Sequence, residues 1–241
     1  MDDTVLRGKN ILVVDDEVDL REIVASELDY MGATVYQAGN ITAADAILKE
    51  QKIDLIISDI RMPGGTGVDL LRTVKARNIF LPPIILITGF ADITAEEAYA
   101  EGAEALLNKP FQLDELIQVS ARLVKPGLEK FSEETPVPEK KLALEFPTML
   151  SQTKHFEIGR GGVYLTTDNS RKFDLGEPIH LTVKFSDVNF SGVVIPRWSR
   201  LSEIENRLCL GLEFIQVSEG MDFFKSHWEK SPGLAFIPKA Y

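Results

Sequence analysis

Between Asn10 and Val124, five short apolar runs alternate with five helix-length stretches, and this alternation constrains the fold more than any other feature of the chain. The runs are NILVV (10–14), TVYQA (34–38), IDLIIS (53–58), PPIILIT (82–88) and EALLN (104–108). The helical patterns lie near 18–31, 42–50, 66–77, 94–102 and 112–124. Five βα units of this length predict a parallel sheet covered on both faces, because parallel strands need a long crossover to bring the chain back. The unbroken apolarity of IILI fits a strand buried on both sides. In such sheets a site forms outside the carboxyl ends of the strands. That rule selects Asp15 and Asp16 after the first strand, Asp59 after the third, Thr88 at the end of the fourth and Lys109 at the end of the fifth.

The stretch ILVVDDEVDL (11–20) sets four apolar residues directly against Asp15, Asp16 and Glu17. Asp15 or Asp16 can be explained as a helix cap, which stabilises by about 1 kcal/mol. The rest stay crowded, and two carboxylates about 4 Å apart repel by roughly 4 kcal/mol at an effective dielectric of 20. A divalent cation would supply the compensating charge. Mg²⁺ suits oxygen ligands, keeps some of its waters and bridges carboxylates to phosphoryl groups. Lys109 and Thr88 would then serve phosphoryl oxygens as a point charge and a hydroxyl donor.

Taken together, these residues resemble the bacterial response-regulator receiver family over residues 9–125. The resemblance rests on the pair Asp15-Asp16, Asp59 in DIRMPGGTG, Thr88 in LITG and Lys109-Pro110 in NKPF. It implies a flavodoxin-like (βα)5 fold with parallel strand order 2-1-3-4-5, for which a receiver is itself a standard example. It also implies that Asp59 accepts a phosphoryl group from a sensor histidine kinase or a phosphotransfer protein. Mg²⁺ would be held by Asp15, Asp16, Asp59 and the backbone carbonyl of Arg61, while Thr88 and Lys109 would sense the phosphoryl oxygens. Pro63 and glycines 64, 65 and 67 suit the tight loop after Asp59. One position departs from the family: where receivers carry Tyr or Phe three residues before the lysine, this chain has Leu106. The 94–106 face is nevertheless expected to rearrange on phosphorylation. Arg61 and Phe90 are expected to flank the site and to affect water access.

Charge separates the two halves. Residues 1–125 carry 21 Asp plus Glu against 12 Lys plus Arg, a net of -9, while 126–241 carry 16 against 14, a net of -2. Neither half offers a basic stripe for nucleic acid, so no DNA binding is expected. No apolar run approaches the roughly 20 residues of a membrane span, and the acidic opening MDDTVLRGKN is unlike a secretory signal. A cytoplasmic protein is expected. The single cysteine, Cys209, excludes a disulfide framework and reads as a small buried residue.

KPGLEKFSEETPVPEKK (125–141) carries three prolines and many charges and reads as a linker over 126–141, which would place domains at 1–125 and 142–241. Its 16 or so residues could span about 50 Å at ~3.3 Å each. Beyond it the apolar period shortens. LALEFPTML, HFEIG, GVYLTT, PIHLTVKF, VNFSGVVIPRW and RLCLGLEFIQV predict a small antiparallel β-barrel, and MDFFKSHWEK (221–230) predicts a closing helix. His155, His180 and His227 are scattered and suggest packing or surface roles. No catalytic set is visible, so no enzymatic activity is expected beyond the receiver's own phosphoryl transfer.

FEIGRGGVYLTT and CLGLEFIQV resemble the PilZ family over about 142–217. Many members of that family bind cyclic di-GMP through Arg-x-x-x-Arg and Asp/Asn-x-Ser-x-x-Gly motifs. Here the second motif aligns with Glu157, Gly159, Arg160 and Gly162, with only the last glycine kept, and no arginine lies between Arg122 and Arg160. Losing two charge-assisted contacts of about 1.5–3 kcal/mol each would weaken such a ligand at least a hundredfold, so micromolar cyclic di-GMP binding is not expected. Arg160 among its glycines could meet another anion or simply be solvated, and Arg197, Trp198 and Arg200 could form a contact patch or a barrel edge. The expected function is a two-component response regulator in which phosphorylation controls protein binding by a degenerate PilZ-like output domain. The partner is unidentified and a phosphorylation-dependent dimer is one open state. The alternative is a dual-input effector that also binds cyclic di-GMP or another anion.

Overall fold

All five apolar runs of the first half become strands. The computed structural model describes residues 5–89, 93–132, 135–146, 155–185, 189–202, 204–230 and 233–239. The chain forms two compact units: residues to Thr94 with Glu101–Lys125, and Ala95–Ala100 with the chain from Pro126 onward.

In the first unit the elements follow in order: β1 (Asn10–Val14), α1 (Val18–Tyr30), β2 (Thr34–Ala38), α2 (Ile41–Glu50), β3 (Leu55–Asp59), the two-residue strands β4 (Arg61–Met62) and β5 (Gly65–Thr66), α3 (Gly67–Arg77), β6 (Ile84–Thr88), β7 (Ala105–Asn108) and α5 (Leu113–Leu123). The parallel sheet runs β2-β1-β3-β6-β7, which is the expected 2-1-3-4-5 order of the five long strands. β3 and β6 are buried at every residue, as strands covered on both faces must be. Two strand starts differ from the sequence expectation. β3 opens at Leu55 and reaches Asp59, and β6 opens only at Ile84, because Pro82 and Pro83 have no amide to donate to a ladder.

Helix starts follow local chemistry. Asn40 accepts the Ala43 amide at 2.9 Å to cap α2. Thr66 and Asp69 form a reciprocal capping box at α3, with Lys75 and Arg77 in its last turn. The helix expected over 94–102 is shorter: α4 spans Ala95–Ala100, and Gly102, at φ +101°, lies in the left-handed region that ends helices.

The second unit contains α4, a 3₁₀ turn (Glu129–Phe131), β8 (Lys141–Glu145), β9 (Phe156–Ile158), β10 (Gly162–Asp168), β11 (Ile179–Lys184), β12 (Asn189–Leu201), β13 (Arg207–Glu219) and α6 (Met221–Lys230). Its six strands order β8-β11-β12-β13-β10-β9. The expected antiparallel barrel is therefore corrected to a curled, mostly antiparallel sheet. β8 runs parallel to β11, which the long intervening chain permits, and no ladder joins β8 to β9 among the described residues. The edges meet through side chains instead: the ring of Phe146, just past β8, lies 5.3 Å from that of Phe156 in β9 and 5.8 Å from that of Phe185. β11 alternates buried and half-buried residues with the strand period of two. The core gathers Phe190, Phe214 and Phe224, the last from α6.

The stretch expected to be bare linker also enters this core. Phe131 is fully buried and meets Phe224 edge-on with ring centroids 5.4 Å apart. Among charged neighbours a single aromatic carries no periodic signal, so the sequence pattern hid it.

Candidate functional site

Strand register assembles the first site. β1 pairs with β3 so that Val14 faces Ser58, which sets Asp15 and Asp59 at neighbouring strand ends. Thr88 faces Asn108 between β6 and β7, and the Lys109 amide donates to the Thr88 carbonyl at 2.7 Å. Lys109 then reaches back across the sheet: its Nζ lies 2.6 Å from Asp59 Oδ1 and 3.1 Å from Asp15 Oδ2. The other Asp59 oxygen, Oδ2, accepts the Arg61 amide at 2.6 Å. Asp15 and Asp59 are 3 % and 5 % exposed, so their charges lie largely out of bulk water. Asp16, Glu17, Arg61 and Gly89 complete the lining of an open pocket of about 240 Å³ around these three side chains.

The loop after β3 is shaped to bring α3 close. A Cβ on Gly67 would overlap the Asp59 carbonyl and lie 2.9 Å from Ser58 Oγ, so only glycine allows this approach. The Gly67 amide donates to the Ile60 carbonyl at 2.9 Å and fixes the turn.

Electrostatics follow from burial. Burial lifts the Asp59 carboxyl above the ordinary aspartate value, and the neighbouring Asp15 charge adds to the rise; Lys109 and the Arg61 amide pull it back without cancelling it. Burial acts to depress the Lys109 ammonium, but its hydrogen bonds to Asp59 and Asp15 outweigh that and hold it above the usual lysine range. Both partners move upward for different reasons. The lysine is fixed as a cation, while the aspartate is strained as an anion.

Sequence reasoning selected Asp15, Asp59, Lys109 and Arg61, and these converge. Asp16 lines the pocket but is exposed, and among the described residues no group of three or more His, Cys, Asp or Glu stands close enough to hold a metal. The cap explanation for the acids also changes. Glu17, not an aspartate, occupies the α1 N-cap and makes no side-chain cap bond, while Asp15 Oδ1 accepts the Glu17 amide at 2.8 Å. Thr88 ends β6 almost fully buried, and Leu106 is half-buried in β7. Phe90 lies outside the described residues. Arg21 was missed: its Nη1 donates to the Asp15 carbonyl at 2.5 Å. The available signal was its place four residues after Glu17, on the helix face that returns toward the strand end.

In the second unit the residues of the altered motif also meet, with a different neighbour from either expectation. Glu157 lies in β9, Gly159 and Arg160 lie in the loop that follows, and Gly162 opens β10. Arg160 is neither solvated nor facing an open anion site: it is 3 % exposed and its Nε donates to the Leu234 carbonyl at 3.0 Å. The Arg197-Trp198-Arg200 patch is corrected as well. Trp198 is buried and stacks on Tyr164 with centroids 6.1 Å apart, and Arg197 pairs with the fully buried Glu213 at 2.5 Å. Cys209 is buried, as expected. His155 Nδ1 lies 3.1 Å from Thr166 Oγ1, His180 is half-buried in β11, and the side chain of His227 lies outside the described set.

Comparison with known proteins bears on the first unit. A family model described as the response regulator receiver domain matches residues 11–121. The chain is 39% identical over 114 residues to the C4-dicarboxylate transport transcriptional regulatory protein DctD of Rhizobium meliloti (strain 1021), a match covering 47% of this chain and 25% of that protein. It is 35% identical over 112 residues to the phosphate regulon transcriptional regulatory protein PhoB of Pseudomonas aeruginosa, covering 46% and 49%. It thus spans between a quarter and a half of the length of these curated relatives. Among solved structures, the response regulator TrrA of Thermotoga maritima in complex with Mg²⁺-BeF is 31% identical, with 48% of this chain and 98% of that chain covered and a TM-score of 0.44. Residues 11–121 of this chain are a response regulator receiver domain.

Proposed function

We propose that this chain is a two-component response regulator that is phosphorylated on Asp59 and passes that state to a protein-binding output domain formed by its second unit. The observation that carries the reading is Lys109 Nζ seated between Asp59 Oδ1 and Asp15 Oδ2, beside a pocket open to solvent. An Asp59 oxygen attacks the phosphorus of a phosphohistidine, on a histidine kinase or a phosphotransfer protein. The P–N bond breaks, its electrons stay on the imidazole, and an acyl phosphate forms. Lys109 leaves its carboxylate contact to meet a phosphoryl oxygen, and Thr88 donates its hydroxyl to another.

The site residues fit Mg²⁺. All the acidic donors are carboxylate oxygens, and the open pocket leaves room for the waters this ion retains. Asp15, Asp59 and the Arg61 carbonyl would hold it, whereas Asp16, expected to join them, lines the pocket without forming a group of three acids close enough to share an ion. When bound it neutralises charge that builds up on the phosphoryl oxygens.

The second unit reads as a degenerate PilZ-like output domain. The support is its sequence pattern, its six strands and closing helix, and the loss of the nucleotide-gripping residues. Its near-neutral charge argues against DNA as the target. No helix among the described residues is long and apolar enough to cross a membrane. α4 follows β6 in the chain and packs with the second unit, and this reading assigns it to carry the phosphorylation signal. The test is an affinity capture from native cells with wild type and Asp59→Ala. A partner retained by only one of the two supports the reading, and identical capture by both opposes it. Calorimetry with cyclic di-GMP checks the alternative, for which a clear isotherm in the micromolar range is the supporting result.

A further inference from the structure

The glycine loop of the second unit is filled by the end of the same chain. Its donors meet three consecutive carbonyls: Arg160 Nε to Leu234 O at 3.0 Å, the Arg160 amide to Ala235 O at 3.0 Å, and the Gly161 amide to Phe236 O at 2.9 Å. One side-chain donor and two backbone amides meet three successive carbonyls, which is how a peptide is held rather than a point anion, and the held segment bends at Leu234, Phe236 and Ile237.

The glycines have a matching purpose. A Cβ on Gly159 would come within 2.6 Å of the Phe236 carbonyl and 2.8 Å of Pro238 Cδ; one on Gly161 would overlap the Phe236 ring; one on Gly162 would come within 2.7 Å of Ile237 Cγ1. Each missing side chain is therefore a recess for one part of Ala235–Pro238. The Phe236 ring is 1 % exposed, with the Arg160 guanidinium 5.8 Å from its centroid and, within the same unit, the Tyr99 ring 6.3 Å away and stacked. Ile237 is fully buried beside it, whereas Leu234 is 43 % exposed.

We propose that Gly159–Gly162 and the adjoining aromatic cluster form a peptide-reading groove whose resident occupant is the chain's own Leu234–Pro238. An output partner takes the same seat by presenting a small–aromatic–branched–proline segment that bends in the same way. The chemistry of that partner is read from what the groove contacts: three successive backbone carbonyls, one ring in one recess, and the side chains of a branched residue and a proline. These hydrogen bonds from the loop to the segment all go to backbone carbonyls, while its recesses take the Phe236 ring, Ile237 and Pro238. A seat of about five residues binds weakly as a free peptide, but tethering gives the tail an effective concentration on the order of millimolar, enough to keep the groove closed until a competitor with further contacts arrives. The proposal rests on reading the second unit as a protein-binding output domain; because the peptide assay below involves no phosphorylation, its failure and that of the phosphorylation reading are distinguishable.

The test uses the full-length chain and a fluorescent peptide of its own residues 233–241, read by anisotropy. Wild type should take up little peptide, because its groove is filled in cis. Phe236→Ala, which withdraws the ring, should bind the peptide saturably and at least about tenfold tighter than wild type does, the factor that 1.4 kcal/mol of ring burial represents. Adding Gly161→Val to that variant should abolish uptake by filling the recess. Where Phe236→Ala costs the fold, Ile237→Ala weakens the tail more gently and should show the same contrast. A peptide that binds neither tail variant, binds wild type equally well, or still binds once Gly161 is replaced would overturn the proposal.

Discussion

At the scale of single residues, the receiver site depends on a lysine shared by two buried carboxylates. Lys109→Ala leaves Asp15 and Asp59 facing each other without a counter-charge and removes the donor for the transferred group. Phosphorylation by acetyl phosphate should slow on the order of a hundredfold, the usual cost of one preorganised donor, and an unchanged rate in a gel-shift assay would contradict this role. Asp59 also sets a pH dependence. Its native carboxyl holds its proton more tightly than the unfolded chain does, so its contribution favours folding below the ordinary value of 3.8 and is lost as pH rises through the raised native value. Asp59→Asn removes that loss. Urea titrations in the absence of magnesium should show the variant gaining stability relative to wild type as pH rises from acidic to neutral. Some of these residues were legible and some were not. Asp15, Asp59 and Lys109 stood out because acids and a lysine at strand ends cannot serve a core. Lys75 gave no such signal: it is buried with Nζ 2.7 Å from Glu104 and 3.1 Å from the Pro82 carbonyl, a pairing across 29 residues that no local pattern encodes. Lys75→Met should cost about 3–5 kcal/mol, because it strands a buried carboxylate.

At the scale of elements, the strand and helix pattern of the first half was readable because each run carried its own period and punctuation. The boundaries that moved did so for local reasons: prolines without amides delayed β6, and Gly102 ended α4 early. Thr66→Ala removes the capping box that begins α3 just past the Asp59 loop and should cost about 1 kcal/mol. Asp69, held below its ordinary range by the Thr66 hydroxyl and amide, loses that contribution as pH falls through its lowered value. The cost of Thr66→Ala should therefore shrink in acid, and a denaturation series that shows no such trend would count against the box. In the second unit the strands were readable, but how they closed was not. Alternation tells which face is buried, not which edge meets which, and Phe146 joins Phe156 only after the sheet curls. Phe131→Ala should destabilise that unit by about 3–5 kcal/mol, as followed by the fluorescence of its two tryptophans, Trp198 and Trp228.

At the scale of the molecule, residues 1–125 carry a net charge of -9 and residues 126–241 a net of -2, and the proposed reading assigns the first half to accepting a signal and the second to binding a target. The receiver was legible as a whole because its site gathers chemistry from four strand ends in a fixed order. The loop of Gly159–Gly162 was read as the remnant of a nucleotide motif, since the segment that fills it lies more than seventy residues away and looks, as sequence, like an ordinary tail. The proposed signalling function depends on Asp59 as the acceptor. The most direct measurement is intact mass spectrometry of wild type and Asp59→Asn after incubation with acetyl phosphate and Mg²⁺. One added phosphoryl group on wild type, absent without Mg²⁺ and absent in the variant, is the predicted result. No addition to wild type, or equal addition to the variant, would contradict it.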